Sequence, residues 1–239
     1  MSIVFNVRNP AAEAEERSKA FFTNFDFVEN EIKLTKDIFK SHLSIDRYYF
    51  IGQFVENEKN VLFNMIQWLK PKKIIEFSPS DGYTTAIIAA ANNEFESFET
   101  YEINPARVVS TREHLKDVGI NRVDVIEGNV FEKMDLNKLK QCDFLFVDAD
   151  HSKEFTEKYV QEFFTLLKKG AWVAVHDCMF DPVVNDETQV VIDWLRQNNI
   201  NKYFYVNDLT NIFGINDQNP NPFNPQNTEQ STTLWFKNE

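Results

Sequence analysis

The sequence predicts an α/β protein on a doubly wound, mostly parallel, Rossmann-like sheet with helices on both faces. Two observations carry this. Short apolar runs at 73–77, 97–102, 123–127, 143–148 and 171–175 alternate with amphipathic stretches, the signature of strand-helix units. Polar residues crowd immediately after those runs, and in such sheets ligands sit beyond the carboxyl ends of the strands. A chain of 239 residues, 43% of them apolar, is long enough to bury the core this fold needs.

Each element has its own justification. Residues 11–22 are rich in Ala and Glu, and Val61, Leu62, Met65, Ile66 and Leu69 recur at helical spacing until Pro71 stops them, so residues 1–70 read as an N-terminal helical extension or cap. The Rossmann-like domain then spans 71–239. After the first run, a turn leads into a helix around 86–91. Asn104 caps a helix that opens on Pro105, buries Val108, Val109, Leu115 and Val118, and stops at Gly119. Ser152 starts another, with Phe155, Tyr159, Val160, Phe163, Phe164 and Leu167 turned inward before Lys168, Lys169 and Gly170 end it. Residues 187–198 read as a helix, 202–206 and 233–236 as final strands. The Asn- and Pro-rich stretch 216–227 cannot pack a core and reads as a mobile loop.

Composition excludes several classes. A net charge of -12 repels polyanions, which argues against nucleic-acid partners. No apolar run approaches the ~18 residues of a membrane helix, and the first residues offer only Ile3, Val4 and Phe5 before turning acidic, so the chain reads as soluble, untargeted and cytoplasmic, without membrane partners. Two cysteines, Cys142 and Cys178, placed at opposite ends of neighbouring strands, are not expected to pair, and they exclude a cysteine-built zinc cluster. A homo-oligomer is compatible with the sequence.

The chemistry sits at the strand ends. The first run closes in Glu76-Phe77-Ser78-Pro79-Ser80-Asp81-Gly82, a turn with one glycine, where a dinucleotide fold wants several for backbone approach to a pyrophosphate. Glu76 and Asp81 suit a ligand bearing an ammonium and a sulfonium instead. Glu102, twenty positions after Gly82, ends the second run, where a carboxylate accepts hydrogen bonds from ribose hydroxyls. Asn129, with Val130, follows the third run, where a side-chain amide reads an adenine edge. The fourth run ends in Asp148-Ala149-Asp150-His151 and the fifth in His176-Asp177-Cys178. On neighbouring strands, Asp148 and Asp177 emerge about 5 Å apart, close enough to share one Mg²⁺ or Ca²⁺. His176, on a regular strand, is expected to face away from Asp177, as a packed or exposed histidine rather than a ligand.

Over about residues 60–178 this series resembles the class I S-adenosylmethionine-dependent methyltransferases, particularly the O-methyltransferase branch with a metal site. The resemblance implies that Glu76, Ser78, Ser80, Asp81 and Gly82 surround the methionine moiety, that Glu102 holds the ribose, and that Asn129 and Val130 contact the adenine, with Asp148 also beside the cofactor. It implies Asp148 and Asp177 as ligands of a divalent cation, and His151 as the base acting with Asp148 on a hydroxyl of a small-molecule or carbohydrate acceptor. Two departures stand out: Ser78 and Ser80 occupy positions where the family usually has glycines, and Cys178 replaces the Asn that often completes the metal site. Two other functions use similar folds, a nicotinamide-dependent oxidoreductase and a nucleoside-binding protein without turnover. The glycine-poor acidic turn disfavours the first, and the missing glycines keep the second open.

Overall fold

A computed structural model describes residues 23–33, 56–179, 185–212 and 231–239. Helix α1 (Glu56–Leu69) precedes β1 (Lys73–Phe77), α2 (Tyr83–Ala91), β2 (Ser97–Glu102), α3 (Pro105–Asp117) and β3 (Asp124–Glu127). Two single turns, α4 (Val130–Lys133) and α5 (Leu136–Leu139), lead to β4 (Phe144–Val147), α6 (Lys153–Glu162) and β5 (Trp172–Met179). The chain ends in α7 (Asp186–Gln197), β6 (Tyr203–Tyr205), α8 (Val206–Ile212) and β7 (Ser231–Lys237). The strands form one sheet in the order β3-β2-β1-β4-β5-β7-β6, parallel except for β7, which runs antiparallel to both β5 and β6. The order reverses between β1 and β4, so the ligand crevice opens above their carboxyl ends.

Both faces of the sheet are buried, which is why its strands read as nearly continuous apolar runs rather than alternating ones. On one face Ile75, Phe77, Leu145, Val147, Val173 and Val175 pack under Tyr159 and Val160 of α6 and Val191 and Leu195 of α7. On the other, Ile74, Phe144, Phe146, Trp172 and Ala174 meet Val61, Leu62, Met65 and Ile66 of α1 and Ile87 and Ile88 of α2. Helix α1 thus lies in the core, contiguous with the sheet. Burying a side chain of this size contributes about 1.5–3 kcal/mol, and these clusters fix the sheet on which the polar strand ends are mounted.

The punctuation follows the sequence closely. Asn104 accepts from Ala106 N (3.0 Å) with Pro105 at the first helical position, and Ser152 accepts from Phe155 N (3.3 Å). Gly119 turns at φ +81°. Three differences have physical causes. Val109 is 52% exposed because it lies on the outer face of α3, away from Val108 and Leu115. The α6 helix stops at Glu162 and tightens into a 3-10 turn at Phe164–Leu166. Val206, which an apolar run would extend as strand, starts α8 instead. The expected helix at 11–22 and loop at 216–227 lie outside the described residues. Cys142 and Cys178 are free and buried, as expected, and burial pushes the Cys142 thiol up to about 12, leaving it protonated and inert.

Candidate active site

The turn after β1 keeps a glycine-like backbone without the glycines. Ser78 and Ser80 sit at φ 59° and 53°, and Gly82 at 80°, so three alternate residues are left-handed. Non-glycine residues resist that region, and the surroundings must hold them there. Helix α3 supplies the hold: Thr111 Oγ1 donates to Ser80 O (2.7 Å), Ser110 Oγ donates to the Asp81 carboxylate (2.8 Å), and His114 Nδ1 donates to Asp81 O (2.8 Å). At Gly82 a Cβ would come within 2.9 Å of Thr111 Cγ2, so only glycine fits under this helix.

Glu76 anchors the same turn from below. It is fully buried, and its two oxygens accept from Thr84 Oγ1 and Thr85 Oγ1, both at 2.6 Å, tying β1 to the first turn of α2. Burial raises its pKa to about 7 against those two hydrogen bonds, so at neutral pH it is far from a full negative charge. The expected charge facing a cationic ligand therefore falls to the exposed Asp81, because the oxygens of Glu76 are turned onto the threonines.

Glu102 is buried rather than an exposed acid; Oε1 accepts from Asn104 N (2.9 Å), and Oε2 lies 3.5 Å from Ser78 Oγ. The ends of β1 and β2 are thereby drawn together, with Oε2 toward the turn. Asn129 caps α4 by accepting from Phe131 N (3.0 Å), and Val130 packs inward beneath it.

The second cluster forms where β4 and β5 end. Asp148, His151 and Asp177 bring one donor atom each within 4.8 Å of one another. The His151 ring is held at Nδ1, which lies 2.6 Å from Glu187 Oε2, while Nε2 lies 3.5 Å from Asp177 Oδ2. Glu187, on the first turn of α7, is 1% exposed and also accepts from Tyr159 Oη (2.9 Å). Its contact raises the His151 pKa despite the ring's partial burial.

His176 departs from expectation. Its Nδ1 lies 3.2 Å from Asp148 Oδ1 and 3.5 Å from Asp177 Oδ1, so it does not face away from Asp177. The cause is a bulge: Val175 pairs with Leu234 but Cys178 with Thr232, leaving one extra residue on β5, and Asp177 takes it up at φ 54°. Alternation breaks there, and neighbouring side chains converge. Nε2 of His176 lies 3.4 Å from Glu58 Oε2, a buried acid of α1 that also accepts from Thr233 Oγ1 (2.9 Å). Burial disfavours ionisation of Asp148, but the adjacent His176, with His151 beyond it, more than offsets this and holds its pKa below the usual carboxylate value. Cys178 points into the core on the opposite face, its thiol at Val175 O, so it supplies no ligand here.

A left-handed turn after β1, a buried acid after β2 and an Asp/His/Asp cluster after β4 and β5 are thus arrayed around the switch point. A family model described as a methyltransferase domain matches residues 79–178 of the chain. The fold is similar to an O-methyltransferase from Bacillus cereus solved with S-adenosylhomocysteine (14% identity, 90% of this chain and 98% of that one, TM-score 0.54). It is similar also to the O-methyltransferase TomG from Streptomyces achromogenes, involved in tomaymycin synthesis and solved with S-adenosylmethionine (16% identity, 91% and 97% covered, TM-score 0.55). No curated protein sequence matches the chain. Among the described residues, no helix is long and apolar enough to cross a membrane.

Glu58, Ser110, Thr111, His114 and Glu187 were not legible as site residues. Each acts on a partner at least 29 positions away, which no local motif shows.

Proposed function

We propose that this protein methylates a hydroxyl of a small molecule or sugar, using S-adenosylmethionine and a divalent cation held by Asp148 and Asp177. The convergence of Asp148, His151 and Asp177 above the switch point carries this reading. Hard carboxylate oxygens suit Mg²⁺ or Mn²⁺, and the thiol of Cys178, which would favour a softer metal, is turned away. The cofactor's place is supported by the left-handed turn at Ser78, Ser80 and Gly82 beside the Oε2 of Glu102, with Asn129 and Val130 following the neighbouring strand β3. Two buried, unpaired cysteines agree with a reducing, cytoplasmic setting.

When bound, S-adenosylmethionine supplies the electrophilic methyl group and the cation a Lewis acid that lowers the acceptor hydroxyl's pKa. The chain's own residues do the rest. Asp148, kept ionised by His176, and Asp177, aimed by the β5 bulge, orient the acceptor oxygen. His151 Nε2 faces the same space and receives the hydroxyl proton, as a general base whose basicity Glu187 increases. Glu102 fixes the ribose end and so the distance between methyl and acceptor.

The test is methyl transfer to a panel of catechols, phenols and sugars, with Mg²⁺ and with chelator. Chelator and Asp177→Asn should each abolish transfer while S-adenosylhomocysteine still binds by calorimetry in preference to NAD, and His151→Gln should lower turnover roughly 10²-fold. Full transfer in chelator together with normal activity of Asp177→Asn would remove the metal from this reading.

A further inference from the structure

We infer that Glu187 is a positioning residue, which holds His151 as the Nδ1–H tautomer and so keeps the Nε2 lone pair open to the cleft shared by Asp148 and Asp177. A neutral imidazole has one N–H, and two carboxylates compete for it. Glu187 Oε2 is 2.6 Å from Nδ1, within good hydrogen-bond range, whereas Asp177 Oδ2 is 3.5 Å from Nε2, beyond it. The closer acceptor is also the better fixed. Glu187 is 1% exposed and its other oxygen accepts from Tyr159 Oη; burial raises its pKa, and the hydrogen bonds from His151 and Tyr159 and its place in the first turn of α7 oppose that rise and favour the carboxylate as acceptor. Loss of that acceptor transfers the proton to Nε2, where it blocks the lone pair that a proton or a cation needs.

The same helix turn also sets the partner carboxylate. Asn185 caps α7 by accepting from Thr188 N (2.8 Å), and its amide donates to Asp177 O (2.9 Å). One turn of helix therefore holds the His151 ring through Glu187 and the strained Asp177 backbone through Asn185. This makes α7, which contributes nothing to the methyltransferase motifs at the strand ends, the element that aligns the two sides of the cluster.

The inference rests on His151 acting as the base, and the experiment separates the two. Protein labelled with ¹⁵N-histidine is kept in chelator at a pH where the ring is neutral, and long-range ¹H–¹⁵N correlation reads the tautomers of the four histidines. His151 is assigned by its loss in His151→Gln. The parent should show His151 as Nδ1–H. Glu187→Gln, which replaces a charged acceptor by a neutral one, should lower the ratio of Nδ1–H to Nε2–H roughly tenfold. It should also lower kcat with KM little changed. Tyr159→Phe removes the other partner of Glu187 and should leave the tautomer as it is. An Nε2–H ring in the parent overturns the inference even if Glu187→Gln fails to fold. So does an unchanged ratio in Glu187→Gln, or an equal shift in Tyr159→Phe, which would mark general loosening. Full activity of His151→Gln beside the expected tautomers would discard the base and leave the positioning role intact.

Discussion

Replacing Glu76 by Gln should make the protein more stable above neutrality and leave it unchanged in acid. Glu76 is fully buried and its pKa is raised from 4.5 to about 7, principally by burial. In the unfolded chain it ionises near 4.5, so between about pH 4.5 and 7 the folded state binds the extra proton. Stability is thus undiminished by this group below pH 4.5, falls as pH rises through the window, and levels off above 7. The shift is 7 − 4.5 = 2.5 pH units, which at 1.36 kcal/mol per unit is about 3 kcal/mol. Gln is nearly isosteric with the protonated acid and can still accept from one threonine hydroxyl while donating to the other, so below pH 4.5 the two proteins should match.

Urea unfolding of both proteins at several pH values between 4 and 8 reads this directly. The other titrating groups are common to both, and the repulsion between Asp148 and an ionised Glu76 is itself part of the difference being read. That difference should open across the window in favour of Gln, to roughly 2–3 kcal/mol at pH 8. A difference constant across the range would refute the reasoning, because it would mean that Glu76 titrates alike in folded and unfolded chains.

Two further outcomes bear on the cofactor crevice. Ser80→Gly relieves a left-handed serine at φ 53°, where strain of ~1–2 kcal/mol exceeds the ~0.4–1 kcal/mol that glycine adds in unfolded-chain entropy, so thermal unfolding should show a modest gain. A loss would show that the hydroxyl makes a stronger contact than the backbone strain it costs. Glu102→Ala should weaken S-adenosylhomocysteine binding by ~1.5–3 kcal/mol by calorimetry, as for hydrogen bonds to a charged group. Unchanged affinity in a normally folded variant would move the ribose to another strand end.

The parallel sheet was legible because local signals repeat: an apolar run between turns needs no distant partner to be recognised, and β1 and β2 fall within the expected bounds. Capping was legible for the same reason, since Asn104-Pro105 and Ser152 act within three residues of themselves. The site was legible only as a set of strand ends. That Asp148 and Asp177 come to the same end of the sheet follows from the parallel pairing of β4 and β5, but what brings their side chains together and holds them does not. Glu187 reaches His151 across 36 positions, and Glu58 is joined to Thr233 across 175. The failed expectation for His176 is instructive, since strict alternation was the correct rule for β5 up to Val175. The bulge appears only when β7 is laid alongside, from the far end of the chain.

That bulge links fold and chemistry. Had β5 continued regularly, the residue after His176 would have pointed to the face of Val173 and Val175, into the apolar cluster under α6 and α7, where a carboxylate is costly. The extra residue lets Cys178 take that inward place instead, which accounts for a small, buried thiol there. Asp177 is displaced to the rim at φ 54°, within 3.5 Å of both His151 and His176. His176, meanwhile, stays on the α1 face between Glu58 and Asp148. One inserted residue thus sends three consecutive side chains to Glu58 and Asp148, to the cluster and to the core. Any change that regularises β5 should therefore dismantle the Asp148, His151 and Asp177 cluster even where each of those residues is retained.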